Sequence, residues 1–122
     1  MNSDAVLLRY YSCVDAGDDA GALALVHPDA ALSITIFGST TEGDGKQAFV
    51  DYLAGRGAVS RRHEVARAQV DRDVEFVAGA VVNEDDSVPG YFLAAATVQD
   101  GLILRYQVTM DRAFALAPRP TA

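Results

Sequence analysis

The sequence predicts an α+β fold in which a curved antiparallel sheet wraps around three helices from the N-terminal half. Helical periodicity of apolar residues is confined to the first half of the chain, whereas four extended segments joined by short links fill the second half. The 122 residues suit one compact domain spanning 1–122. The proline-containing tail at 115–122 is expected to fray.

Three helices are predicted before residue 57. The first carries an apolar face at helical spacing, formed by Val6, Leu7, Tyr10, Cys13 and Val14. Gly17 can end this helix, and Asp18 can cap a second, shorter one. The second helix should stop before Pro28, because a residue that precedes proline avoids the helical region. Asp44 is the candidate cap of the third helix, which breaks at Gly55.

Alternating apolar and polar residues over 30–37 predict a strand with one buried face, and 40–42 can return beside it. Further strands are expected over 61–70, 74–82, 91–98 and 102–111. Because Asp100-Gly101 is a strong hairpin turn and no helical crossover separates these four segments, they should pair antiparallel. Segments such as FLAAATV are apolar at nearly every position. A homodimer through the outer face of the sheet would bury the second side.

Charge and composition exclude several classes of function. The chain has 10 Lys and Arg against 17 Asp and Glu, a formal net charge of -7, which disfavours binding to nucleic acid or to an anionic membrane. The single cysteine, Cys13, excludes an internal disulfide, and no Cys/His cluster has metal-ligand spacing. Asp4 and Arg9 interrupt the N-terminal apolar stretch, and the longest apolar runs are too short to span a bilayer. A cytoplasmic protein is expected.

The order of elements and three sequence segments resemble a known superfamily. The segments are YYSCVDAGDDAGALALVHPDAALSI at 10–34, EGDGKQAFVDYLAGRG at 42–57 and VQDGLILRYQVTMD at 98–111. Over about residues 3–114 the chain is similar to the SnoaL-like and ketosteroid-isomerase-like branch of the nuclear transport factor 2-like superfamily. The resemblance implies a cone-shaped α+β fold. It also implies that the chain binds a small hydrophobic molecule or isomerises, dehydrates, cyclises or hydrates it.

The resemblance to ketosteroid isomerases can be followed position by position. Those enzymes combine a carboxylate base with an oxyanion hole made by a tyrosine and a protonated aspartic acid. Their tyrosine precedes the Asp-x-Gly-Asp motif, at the position of Tyr10 here. Their base falls on Ile34, and their second acid falls near Leu93 or Ala94, all of which are apolar. The resemblance therefore implies that only the tyrosine is kept and that the steroid-isomerase mechanism itself is absent.

Two other branches of the superfamily are matched only in part. Scytalone-dehydratase-like sites use two histidines with an aspartate and tyrosines, and this chain has only His27 and His63. Limonene-epoxide-hydrolase-like sites use an Asp-Arg-Asp set, for which Arg105 and Asp111 are the candidates. Strand alternation puts both on the outer side of the sheet, opposite Tyr106.

Tyr10 and His63 are the candidate catalytic residues. A buried Tyr10 hydroxyl can donate to a carbonyl or an oxyanion, and its alternative is a core tyrosine bonded to a neighbour or to water. His63 shares the inward face of its strand with Val65 and can take or give a proton near neutral pH. Its alternative is a histidine at the mouth of the cone, partnered by Glu64 or solvent. Tyr11 is expected at the periphery.

Two other pairs of charged residues have simpler interpretations. Asp15 and Asp18 are interpreted as caps at the corner between the first two helices. Arg61 and Arg62 either attract an anionic ligand to the mouth of the cone or form a solvated edge. The strand that contains them can hold a bulge, which would reverse its alternation downstream.

A mainly apolar cone lining is expected from Val14, Ile34, Ile36, Phe49, Leu53, Val65, Phe76, Phe92, Tyr106, Val108 and Met110. This composition is typical of a site for a small hydrophobic oxygenated molecule of polyketide, steroid or terpenoid type. The functional hypothesis is acid–base isomerisation, cyclisation or dehydration with no cofactor and no metal. The alternatives are a non-catalytic small-molecule-binding protein and a dimeric scaffold of the same fold.

Overall fold

The computed structural model describes residues 5–56 and 61–117. The helices are α1 (Val6–Asp15), α2 (Asp19–Leu23) and α3 (Lys46–Arg56). The strands are β1 (Val26–Ile36), β2 (Ser39–Asp44), β3 (Arg61–Asp71), β4 (Val74–Asn83), β5 (Gly90–Gln99) and β6 (Leu102–Asp111). Within the two described ranges, no helix is long and apolar enough to cross a membrane. Residues 118–122 of the tail lie outside the described residues, so its fraying stays a prediction.

The six strands form one curved, mixed sheet in the order β2-β1-β6-β5-β4-β3. The four strands of the second half pair antiparallel, as predicted. Strands β1 and β2 also pair antiparallel, whereas β1 lies parallel to β6. The parallel pair joins the first strand to the last, so the chain between them supplies the long connection that parallel pairing needs. The helices cover the concave inner face, which confirms the α+β architecture.

Strand β1 begins earlier than predicted. Helix α2 ends at Leu23, and the residues expected to stop it, His27-Pro28-Asp29, lie inside β1 instead. The pairing of β1 with β6 shifts register between Val26 and Ala31, which is where Pro28 falls. Because proline has no backbone N–H to donate to a ladder, a strand accommodates it at such an interruption.

Helix α1 starts without a capping side chain of its own, since Ala5 occupies the cap position. The carboxylate of Glu75, on β4, accepts hydrogen bonds from the backbone N–H groups of Val6 and Leu7, both at 2.9 Å. Glu75 is only 4% exposed. A negative charge at the start of a helix also complements the helix dipole. Glu75 therefore fastens α1 to the inner face of the sheet.

Residue alternation along β4 and β5 divides the two faces of the sheet. Val77 and Ala94 are opposite each other and fully buried beneath the helices. Phe76, opposite Ala95, points the other way and is 44% exposed. Phe76 was expected in the cone lining, and this expectation is wrong. The inward position next to it belongs to Glu75, because that carboxylate reaches α1.

A bulge interrupts β3, where the register against β4 shifts between Val65 and Arg67. The backbone of β3 comes so close to β4 there that a Cβ atom at Gly79 would overlap the carbonyl oxygen of Glu64. Glycine is thus required at this position by the close approach of two strands. Upstream of the bulge, His63 is opposite Val81, which also lines the inner face.

Candidate active site

A cavity of about 60 Å³ lies between α1, α3 and the inner face of the sheet. Its lining consists of Tyr10, Tyr11, Val14, Ile34, Ile36, Tyr52, Leu53, Arg56, His63, Val81, Phe92, Tyr106, Val108 and Met110. This volume is well below the roughly 300–1,000 Å³ of sites that enclose a drug-sized ligand. A ligand larger than a few atoms therefore requires side chains of the lining to move apart.

The lining can be compared with the set expected from the sequence. Tyr10 and His63 both reach the cavity, together with most of the apolar residues predicted around them. Phe49 does not line it: this side chain is 1% exposed and packs behind the rings of Tyr10 and Tyr106. Val65 does not line the cavity either, because it packs against the core as a partly buried residue. Phe76 lies on the outer face of the sheet and so cannot reach the cavity.

Asp15 and His63 form a hydrogen-bonded pair at the cavity. Asp15 is the last residue of α1, and its Oδ1 lies 2.7 Å from Nδ1 of His63 on β3. Its Oδ2 accepts a hydrogen bond from the backbone N–H of His63 at 2.8 Å. An ionised carboxylate only accepts hydrogen bonds, so Nδ1 carries a proton, and whenever the ring is neutral Nε2 has the lone pair. The interpretation of Asp15 as a helix-corner cap is therefore wrong. Asp18 does cap α2, through the backbone N–H of Gly21.

Aromatic rings hold the His63 imidazole in place. The ring of Tyr11 stacks on it, with centroids 4.1 Å apart and an interplanar angle of 19°. Phe92 meets the imidazole edge-on, with centroids 5.2 Å apart. Tyr11 was expected at the periphery, yet it is 3% exposed. The curved sheet encloses more than one apolar stripe of α1, so neighbouring residues such as Tyr10 and Tyr11 are both buried.

Four tyrosines give the cavity its phenol groups: Tyr10, Tyr11, Tyr52 and Tyr106. The hydroxyls of Tyr11 and Tyr106 lie 2.6 Å apart and share one hydrogen bond. One of the two protons is used in this bond, and the other is available to a third oxygen. Burial raises the pKa of Tyr10, Tyr11 and Tyr106 above the ordinary value of 10.0. These hydroxyls are therefore protonated donors at neutral pH.

The arrangement can move a proton on a bound carbonyl compound. An oriented imidazole supplies a base, and neutral phenols supply donors for an oxygen on which negative charge develops. Ile34, which occupies the position of the isomerase base, is 2% exposed and lines the cavity as an apolar residue. Arg105 and Asp111 are exposed on the outer side of the sheet, as alternation predicts. They take no part in the cavity.

Some residues of this site could have been predicted from the sequence, and others could not. No local pattern links Asp15 to His63, because 48 residues and four elements of secondary structure separate them. Tyr52 and Arg56 lie on α3, one helical turn apart, and their i, i+4 spacing was a signal that they share a face. Val81 shares its face with the predicted inward residues of the neighbouring strand.

Known structures share this fold at low sequence identity. A candidate polyketide cyclase from Sinorhizobium meliloti is 20% identical, with 89% of this chain and 99% of that chain covered and a TM-score of 0.70. A candidate ketosteroid isomerase from Kribbella flavida is 15% identical, with 99% and 91% covered and a TM-score of 0.73. A nuclear transport factor 2-like protein of unknown function from Mesorhizobium loti is 17% identical, with 87% and 88% covered and a TM-score of 0.71.

The sequence itself points to one family. No curated protein matches the chain. The family model of the SnoaL-like domain matches residues 7–106, which includes α1 from Leu7 onward, the cavity-lining part of α3 and Tyr106. The fold of the similar structures agrees with this match. The chain belongs to the SnoaL-like domain family, and its fold is shared with structures described as nuclear transport factor 2-like.

Proposed function

We propose that this chain binds a small apolar compound that carries a carbonyl or hydroxyl group and moves a proton on it without a cofactor. The reaction class is isomerisation, cyclisation or dehydration of a polyketide-, steroid- or terpenoid-like molecule. One observation carries the proposal: His63, paired with Asp15 through Nδ1, lies at a cavity that is otherwise mainly apolar and phenolic. The similar structures described as a candidate polyketide cyclase and a candidate ketosteroid isomerase support the same class.

In this proposal His63 and Tyr10 divide the chemistry. Nε2 of His63 removes a proton from the carbon beside the carbonyl, and the electron pair of the broken C–H bond moves toward the carbonyl oxygen. The Tyr10 hydroxyl donates a hydrogen bond to this oxygen, where the negative charge collects. The imidazolium then returns the proton to another carbon or to a leaving oxygen. Asp15 is a positioning residue that keeps the proton of the resting imidazole on Nδ1.

Deuterium exchange tests the proton transfer without knowledge of the natural substrate. Small cyclic ketones, such as cyclohexanone and 2-indanone, are incubated with the protein in D₂O and followed by NMR. We expect the protein to accelerate exchange beside the carbonyl. The variant His63→Gln should lower the rate by about 100- to 10,000-fold, and Tyr10→Phe by about 10- to 1,000-fold.

The chain's other histidine provides the matched control. His27 accepts a hydrogen bond from the backbone N–H of Asp29 and does not line the cavity. His27→Gln should therefore exchange at the wild-type rate. Exchange that persists in His63→Gln, or that is no faster with the protein than with free imidazole, would remove His63 from the mechanism.

A second function is non-catalytic binding in the same cavity. The apolar Ile34 at the position of the isomerase base favours it, because no carboxylate of the described residues lines the cavity. The two functions differ in their readouts. A binding protein would show a higher melting temperature with an apolar ligand and no deuterium exchange, whereas a scaffold filled by its own side chains would show neither effect.

The proposed partner is a second copy of the chain. Phe76 and Leu93 are 44% and 46% exposed on the outer face of the sheet, which supports burial of this face in a homodimer. Light scattering after gel filtration tests this, and Leu93→Glu should shift a dimer toward monomer. The cytoplasmic location stays a prediction from the sequence.

A further inference from the structure

One end of the cavity carries a positive charge. Arg56, the last residue of α3, lines the cavity beside Tyr52 and Tyr10, and we refer to this part as the charged end. Arg56 is partly buried. The salt bridges of the described residues do not include it, although the chain has more acidic than basic residues. A partly buried cation without a carboxylate is unusual, because desolvation of the charge is normally offset by a partner.

No acidic side chain among the described residues forms an ion pair with Arg56, and Asp19, whose charge opposes that of Arg56 at Tyr10, lies outside the cavity lining. The residues that line the cavity include no Asp or Glu. The sequence that follows, Gly-Ala-Val-Ser at 57–60, contains no acidic side chain either. Burial raises the pKa of both Tyr10 and Tyr52, and the positive charge of Arg56 acts in the opposite direction on both. Arg56 therefore lines the same cavity as these two phenols, and its charge favours their ionised forms.

Arg61 is a second cation whose charge acts on the charged end. Arg61, the first residue of β3, also acts on Tyr52 in the same direction as Arg56. Arg62 is different, because it is already engaged by Asp86 at 3.1 Å and by Glu64. The charges of both arginines act on Tyr52, and neither arginine forms an ion pair among the described residues, although Arg61 is exposed and lies outside the cavity lining. Their common field favours an anion.

We infer that the molecule bound in this cavity carries a carboxylate, which Arg56 binds at the charged end while the apolar body of the molecule enters toward Val108 and Met110. The inference rests on the proposed function for the identity of the site and adds the chemical class of its ligand. A planar guanidinium can bind both oxygens of a carboxylate at once. It would hold such a molecule by one end and leave its oxygenated part for His63 and Tyr10.

Matched pairs of acids and amides test the inference. Benzoate is compared with benzamide, and 2-naphthoate with 2-naphthamide, because each pair has nearly the same shape and differs in charge. Binding is measured by NMR titration at neutral pH. We expect the acid of at least one pair to bind about 10-fold or more tightly than its amide. The methyl resonances of Val108 and Met110 should shift in the same titration.

Variants of Arg56 assign the preference to one side chain. Arg56→Gln should abolish the preference for the acid, and Arg56→Lys should keep part of it. Arg67→Gln is the matched control, because Arg67 is exposed on β3, donates to the neighbouring carbonyl of Ala66 and is not among the residues that line the cavity. Any one of four results overturns the inference. These are equal binding of acid and amide, a preference for the acid that survives in Arg56→Gln, binding without methyl shifts, and no binding by any of the four probes. Deuterium exchange is measured separately, so failure of the proposed catalysis leaves this result unaffected.

Discussion

Asp15 holds His63 by two hydrogen bonds, one to the ring at 2.7 Å and one to the backbone N–H at 2.8 Å. The hydrogen bond to the ring determines which ring nitrogen carries the proton. The hydrogen bond to the backbone N–H holds the C-terminal end of α1 against β3. Both partners are largely shielded from solvent, with side-chain exposures of 20% for Asp15 and 15% for His63. Together with the stacked ring of Tyr11, the pair gives the imidazole one orientation and one tautomer.

Replacement of Asp15 by asparagine should disable the base without removing it. The asparagine amide can donate a hydrogen bond to Nδ1 of His63, which favours the tautomer with the ring proton on Nε2. Nε2 then has no lone pair with which to accept a proton from the substrate. We expect Asp15→Asn to lower ketone exchange by about 100- to 10,000-fold, with the fold retained. Nitrogen NMR of the imidazole should show the proton on Nε2 rather than Nδ1. A variant with the wild-type tautomer and lost exchange would mean that Asp15 acts in another way.

The Tyr11–Tyr106 pair should show coupling in a double-mutant cycle. Removal of one hydroxyl leaves the other buried and unpaired, so Tyr11→Phe and Tyr106→Phe should each lower the free energy of unfolding by about 1–3 kcal/mol. The double variant should lose less than the sum of the two, because no unpaired hydroxyl remains. Urea unfolding measures all four proteins. Strictly additive losses would show that the 2.6 Å contact contributes nothing to stability.

Glu75 should matter for stability and not for the chemistry. Glutamine at this position can accept only through one oxygen and brings an N–H₂ group toward the N–H groups of Val6 and Leu7. We therefore expect Glu75→Gln to lower the free energy of unfolding by about 1–3 kcal/mol. Glu84→Gln, on an exposed hairpin, should change it by less than about 0.5 kcal/mol. Chemical denaturation checks both, and equal stability of the two variants would contradict the capping role.

Features that depend on neighbouring residues could be predicted from the sequence, whereas features that depend on contacts between distant segments could not. The inward faces of β5 and β6 follow from alternation, so Phe92, Tyr106 and Met110 could be assigned from the sequence. Alternation failed for β4, because that strand is apolar on both sides and its one charged residue, Glu75, points inward to meet a helix end. A reader of the sequence would place the charge outward and Phe76 inward.

The catalytic hypothesis was incomplete for the same physical reason. Tyr10 and His63 could be singled out by residue type and face, which are local properties. The groups that orient His63 are Asp15 and Tyr11, and both reach it only after α1 packs against β3. A contact between distant segments leaves no periodic signal in the chain. The cavity volume likewise depends on how side chains fill the cone, which composition does not determine.

The buried tyrosines should make the protein lose stability at alkaline pH. Burial raises the pKa of Tyr10, Tyr11 and Tyr106 in the folded chain, whereas in the unfolded chain they ionise near the ordinary value of 10.0. Above this pH the unfolded chain binds fewer protons than the folded one, so the free energy of unfolding falls as pH rises. The stabilisation is fully present below pH 10 and is lost progressively above it.

The slope of this loss identifies its source. Each tyrosine that stays protonated in the folded chain and ionises on unfolding contributes about 1.4 kcal/mol per pH unit. The double variant Tyr11→Phe/Tyr106→Phe lacks two of these groups, so its stability should fall less steeply above pH 10. Urea unfolding at a series of alkaline pH values measures the slope, and near-ultraviolet absorbance reports tyrosinate. We expect tyrosinate to appear together with unfolding. If the double variant loses stability per pH unit as steeply as the wild type, other groups cause the loss of stability at alkaline pH.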